Sequence, residues 1–354
     1  MMKNMMAVLI ILIGTQVAIG GVAFGGSFSP DGSQIVFVSY VQGAEKLCIS
    51  NADGTDERIV MPDEPKKEFS PVWGPDGEKI YFVSSNNQGM EKIFVVNVDG
   101  TDKRELMPDA PKKQWDPDIS PDGTKIVYVS RDSSSKEKLY LANIDGTDVK
   151  ELMPDDPYKK FSPDFSPDGS KIAYQSRDAD TLDKIFIMTV DGTEKIELMP
   201  DDPYKKFSPD FSPDGSKIAY VSYETNLEKV YIVDMDGNGK GRLTATTDGR
   251  EYSPHWSPDG TKIAYTYGMV VEVAPVPPEL VSATPTPEVS VTPTPEVSNT
   301  SIPEVSNTSI PEVSNTSAPD EVHTPADGKS TPGFGVIGIS MVLLVHLLMR
   351  RLRS

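Results

Sequence analysis

The tripeptide Pro-Asp-Gly occurs six times at nearly constant spacing, and this period limits the fold more than any other feature. The copies begin at Pro30, Pro75, Pro121, Pro167, Pro213 and Pro258, so successive copies lie 45, 46, 46, 46 and 45 residues apart. A fixed period of that size marks stacked structural units that cannot bury their apolar faces alone. Residues 151–174 recur identically as residues 197–220. The repeat block runs from about residue 24 to residue 274 and reads as one large domain.

Each unit reads as four short strands. In the fourth unit these are Phe161–Phe165, Lys171–Ser176, Lys184–Val190 and Lys195–Met199. Ser166-Pro167-Asp168-Gly169 supplies the first turn, because Pro presets φ at one corner and Gly permits positive φ at the other. Asp191-Gly192-Thr193 supplies a second turn. Nothing has helical period over a useful length. Four antiparallel strands per unit, repeated, predict an all-β, six-bladed β-propeller. The sixth unit has two clear strands, Tyr252–Trp256 and Lys262–Tyr267, a poor third at Val270–Val273 and no visible fourth. The sixth blade is therefore expected to be abbreviated, with a five-bladed or open arrangement as the alternative. Phe94, Tyr140, Phe186 and Tyr231 share one third-strand position, and Cys48 stands there in the first unit. That makes the single cysteine a buried small hydrophobe.

The motif "FSPDGSKIAY" followed by "DGT" resembles the PD40, or WD40-like TolB, repeat, and it covers some 70% of the chain. In that family the strand preceding Pro-Asp-Gly is innermost. The resemblance therefore places Ser27, Val72, Asp118, Asp164, Asp210 and His255 in a ring around the channel. Asp118, Asp164, Asp210 and His255 could together hold a cation such as Ca²⁺. The alternative is that they bond the neighbouring backbone. The connections from fourth to first strands (61–67, 107–113, 153–160 and 199–206) should emerge together on one face. Their Asp63, Lys66, Asp109, Lys112, Asp155, Tyr158, Lys159, Asp201, Tyr204 and Lys205 make up the favoured partner surface. Mixed charge beside Pro and Tyr suits a protein or glycan ligand.

The two ends carry different signals. Lys3 followed by apolar Ala7–Ile13 and Val17–Val22 reads as an export signal over residues 1–20. Ala18-Ile19-Gly20 offers the cleavage site, and the repeat alignment requires Phe24 to be kept. Residues 275–331 are rich in Pro, Thr and Ser and lack aromatics, so they are expected to stay disordered as a stalk. Fully extended, these 57 residues would reach roughly 175 Å at about 3.1 Å each. Asn299, Asn307 and Asn315 are N-glycosylation acceptors within it. Residues 332–354 hold an apolar stretch, expected as a C-terminal hydrophobic helix, ending in Arg350, Arg351 and Arg353. With Pro332-Gly333-Phe334 at its start, the tail resembles the PGF-CTERM sorting signal of archaeal surface proteins. That resemblance implies a membrane anchor and an archaeosortase-like processing enzyme.

A net charge of −19 argues against nucleic acid as a partner. Only His255 of the three histidines lies in the repeat block, and no G-x-S-x-G is present, so an enzyme is not expected. The sequence thus reads as a cell-surface propeller that binds a protein or glycan. A structural envelope component is the alternative, and a carboxylate-based carbohydrate-active enzyme is the second.

Overall fold

Short apolar, β-branched and aromatic runs, interrupted by turn residues, make each of the first five units a meander of four strands. The computed structural model describes residues 17–19 and 23–281, apart from 42, 133, 178–181 and 225. Six four-stranded antiparallel sheets follow one another. The first five blades span residues 23–59, 68–105, 114–151, 159–197 and 206–242. In each, sequence order equals spatial order, as local hairpins require.

The sixth blade differs. Its own unit supplies Glu251–Trp256, Lys262–Tyr267 and Val270–Pro275. Its fourth strand is Val17–Ile19, paired antiparallel with Val271–Val273. The expectation of an abbreviated sixth blade is therefore corrected: the unit is short, but the blade is complete. The same strand falls inside the stretch assigned to an export signal, so a cut near Gly20 would leave that blade three-stranded. The far edge also moves. Pro275 ends a strand, Val276 is buried and its N–H donates to the Thr261 carbonyl at 2.9 Å. A short helix, Pro278–Val281, follows, and Leu280 packs against blade 5 beside Gly241. Residues 275–281 are thus ordered parts of the propeller rather than of the expected disordered stalk; the rest of the stalk, with Asn299, Asn307 and Asn315, and the Pro332-Gly333-Phe334 motif lie outside the described residues.

Burial is organised by seam. Six apolar clusters occur among the described residues, each shared by two neighbouring blades. The closing one joins Phe28, Ile35, Phe37 and Cys48 of blade 1 to Ala264, Val271 and Val273 of blade 6. The ring is closed, which excludes the open alternative. Across each of blades 2 to 5 the second and third strands face an aromatic pair, with ring centroids 5.8–6.0 Å apart. Cys48 occupies that place opposite Phe37, fully buried as expected.

Candidate functional site

The antiparallel meander sorts the connections onto two faces. Pro-Asp-Gly turns and the Asp-Gly turns after the third strands share one, the turn face. Connections from second to third strands and from fourth to the next first strand share the other, the loop face. Chain direction puts both described ends, Val17 and Val281, on the turn face.

The innermost strands line the axis. Each bears a register shift at its centre, as between Trp115 and Asp118. The bulged residue has positive φ: 48° at Ser70, 47° at Asp116, 45° at Ser162, 51° at Ser208 and 47° at Ser253, with Gly25 in the first blade. Pro follows in all but that first blade, and Pro inside a central strand is the sequence signal of a bulge. Two positions past the bulged residue, the side chain reaches the following blade. Asp118 Oδ2 accepts the Phe165 N–H, Asp164 Oδ2 the Phe211 N–H and Asp210 Oδ2 the Trp256 N–H, each at 2.7 Å. Asp210 Oδ1 also meets His255 Nδ1 at 2.8 Å. Among the described residues no group of three or more His, Cys, Asp or Glu gathers to hold a metal ion. Asp118, Asp164 and Asp210 thus bond the neighbouring backbone, one of the two arrangements expected of this ring, and His255 pairs with Asp210.

Their ionisation reflects this crowding. Burial, with lesser help from the Asp210 charge, pushes Asp118 up to about 7. Burial and the charges of Asp210 and Asp118 push Asp164 well above the usual carboxylate range. Burial lowers His255, but Asp210 and Asp118 outweigh it and its net shift is upward.

The loop face is built on buried lysines that sequence reading missed. Lys46, Lys92, Lys138 and Lys229 sit at one position of the third strands and are at most 9% exposed. Their ammonium groups cap carbonyls of the adjoining loop: Glu64, Ala110, Asp156 and Asp248 respectively. Lys160 and Lys206, buried at the start of inner strands, cap Tyr158 and Asp202/Tyr204 carbonyls. Such burial costs free energy unless each donor is satisfied, and the loop carbonyls satisfy them. The signal was available in the acid-Lys-apolar opening of the third strands of blades 1 to 5.

Outside this clamp, Asp63, Asp109, Asp155, Asp201, Tyr158, Tyr204 and Lys205 are exposed. Lys66, Lys112 and Lys159 are half-buried and engaged, with Asn87, the Asp132 carbonyl and Glu137. A second ring of ion pairs ties the blades together: Lys67–Glu45, Lys113–Glu91, Lys159–Glu137 and Arg250–Glu228. At the blade 4–5 seam Arg177 takes Asp183 instead. Tyr158, Tyr204 and Tyr223 are three of the six exposed large hydrophobics among the described residues, and all three lie on this face.

A family profile described as TolB beta propeller domain matches residues 12–152 and 124–268. Among solved structures, a putative TolB from Agrobacterium tumefaciens is 22% identical with a TM-score of 0.57, covering 72% of this chain and 90% of that one. TolB from Acinetobacter baumannii is 21% identical with a TM-score of 0.58, covering 70% of this chain and 64% of that one. An oligogalacturonate lyase from Vibrio parahaemolyticus is 14% identical with a TM-score of 0.51, covering 75% and 92%. At these identities the likeness shows the fold alone. A search among curated proteins finds no match.

Proposed function

This chain belongs to the TolB β-propeller family, and from that premise we propose that it is a non-catalytic binding module of the cell surface whose loop face takes a protein or glycan partner. The carrying observation is the lysine clamp. It fixes the loops before any partner arrives, so less ordering entropy opposes binding. Exposed Tyr158, Tyr204 and Tyr223 supply rigid amphipathic contact area on the same face. Both described ends lie on the opposite face. The inner carboxylates are spent on inter-blade hydrogen bonds, which supports a scaffold role over catalysis. Surface placement is read from the export signal, the three sequons and Pro332-Gly333-Phe334, with an archaeosortase-like enzyme exchanging the tail for a lipid anchor.

The test is ligand screening of the propeller on a glycan array and by cross-linking to envelope proteins. The double variant Tyr158→Ala/Tyr204→Ala should weaken capture by tenfold or more, a loss of about 1.4 kcal/mol or greater, without changing the fold. Binding that survives this change but disappears on substitution of the turn face would overturn the assignment.

A further inference from the structure

The seams differ most at one buried position, the residue preceding the inner aromatic. It is Glu68, Gln114, Lys160, Lys206 and Glu251 in blades 2 to 6, each at most 1% exposed. In three blades its side-chain oxygen accepts an N–H from the third strand of the preceding blade. Glu68 Oε2 accepts from Leu47 at 2.7 Å, Gln114 Oε1 from Ile93 at 3.3 Å and Glu251 Oε2 from Val230 at 2.9 Å.

The second polar atom separates them. Gln114 Nε2 donates to Met107 Sδ at 3.7 Å. Glu251 Oε1 receives Lys229 Nζ at 3.1 Å, Thr244 Oγ1 at 2.5 Å and Thr246 Oγ1 at 2.7 Å, a fully solvated carboxylate in effect. Glu68 Oε1 is buried and has no partner. Lys46, the counterpart of Lys229, points instead at the Glu64 carbonyl. A buried carboxylate with one bare oxygen is costly, whereas a neutral acid there matches Gln114. The residue equivalent to Met107 is Met61, also buried.

We propose that Glu68 is a neutral carboxylic acid in the closed seam between blades 1 and 2, and that its ionisation draws Lys46 from the Glu64 carbonyl and releases the 61–67 loop. The switch concerns the seam and does not depend on what the loop face binds. The charged and titratable groups around Glu68 are Lys46 and Cys48 from blade 1, Glu64 from the loop and Lys103 from blade 2. Burial pushes Glu68 up to about 7, against the Leu47 N–H and the charges of Lys103 and Lys46. Burial holds the Cys48 thiol neutral, pushing it up to about 12. The ordinary value for Glu68 is 4.5, so between 4.5 and about 7 the folded state alone holds the proton. Stability therefore falls as pH rises through that window and levels off above it.

Hydrogen exchange at the Leu47 amide, referenced to the Ile93 amide bonded to Gln114, reads the seam directly. In the native chain the Leu47/Ile93 protection ratio should drop about tenfold between roughly pH 6 and pH 8.5. Glu68→Gln should remove the drop. A ratio that stays constant, or that falls equally in Glu68→Gln, overturns the proposal. If Glu68→Gln does not fold, Gln114→Glu provides the converse: it should make the Ile93 amide pH-sensitive in the same direction, and an insensitive Ile93 amide would likewise overturn it.

Discussion

Asp118, Asp164 and Asp210 each lend one carboxylate oxygen to the backbone of the following blade, at identical 2.7 Å distances. Geometry of this kind has a measurable signature. Asp164→Ala leaves the Phe211 N–H without its acceptor and should cost about 1–3 kcal/mol in urea unfolding. Asp164→Asn keeps an acceptor and removes the ionisation. Because the folded state raises the Asp164 pKa, it holds a proton that the unfolded chain has already released. Stability of the native chain thus falls as pH climbs above the ordinary carboxylate range. The Asn variant should gain on the native chain as pH rises above the ordinary carboxylate range. An Asn variant as weak as Ala throughout that rise would show that the carboxylate charge itself is needed.

At the level of elements, the six Pro-Asp-Gly turns are more than hairpin corners. A Cβ on Gly123 would lie 3.2 Å from Pro75, and one on Gly32 would lie 3.5 Å from Pro258, so each Gly faces the Pro of the neighbouring blade around a closed ring. Two of the outer turns, at Gly100 and Gly146, are tighter still. Gly100 has φ +86°, and an added Cβ would meet the Val60 carbonyl oxygen at 2.3 Å. Gly89, with φ +74°, has open space around it. Gly89→Ala should therefore cost about 1 kcal/mol, from backbone conformation alone. Gly100→Ala should cost clearly more in the same thermal unfolding assay, since the blade 1–2 seam must shift. Equal costs would mean that the turn, rather than the seam, sets the requirement.

For the whole molecule, the closing question is where the mature chain begins. Val17–Ile19 complete blade 6, yet they stand within the stretch read from the sequence as an export signal. Mass spectrometry of the protein from its host would read both ends at once. An N-terminus at or before Val17 is expected if the fourth strand is kept. A start after Gly20 would leave the edge of Val270–Pro275 unpaired, and a chain made to start at residue 21 should then unfold at lower temperature than one starting at residue 1. The same spectrum reports loss of the tail after Pro332-Gly333-Phe334 and glycan occupancy at Asn299, Asn307 and Asn315. An intact tail would sink the sorting-signal reading.

The period of Pro-Asp-Gly, the apolar strand runs and the turn residues pointed to six blades, to the strand order of the first five and to the burial of Cys48, because each is a local or nearest-neighbour property of a repeat. The loop ring was legible for the same reason, since equal connections in equal units must emerge on one face. Tertiary structure decided what the copies do where they meet. For Asp118, Asp164 and Asp210 the sequence left cation binding and backbone bonding both open, and only the folded blades show each accepting an N–H of the next blade. The capping role of the buried lysines was not legible, because the loop carbonyls that they cap are brought close only by the fold. Glu68, Gln114 and Glu251 are interchangeable in a strand pattern and differ only in what the opposing blade offers their second polar atom. The fourth strand of blade 6 comes from the far end of the chain, a pairing that no local signal encodes.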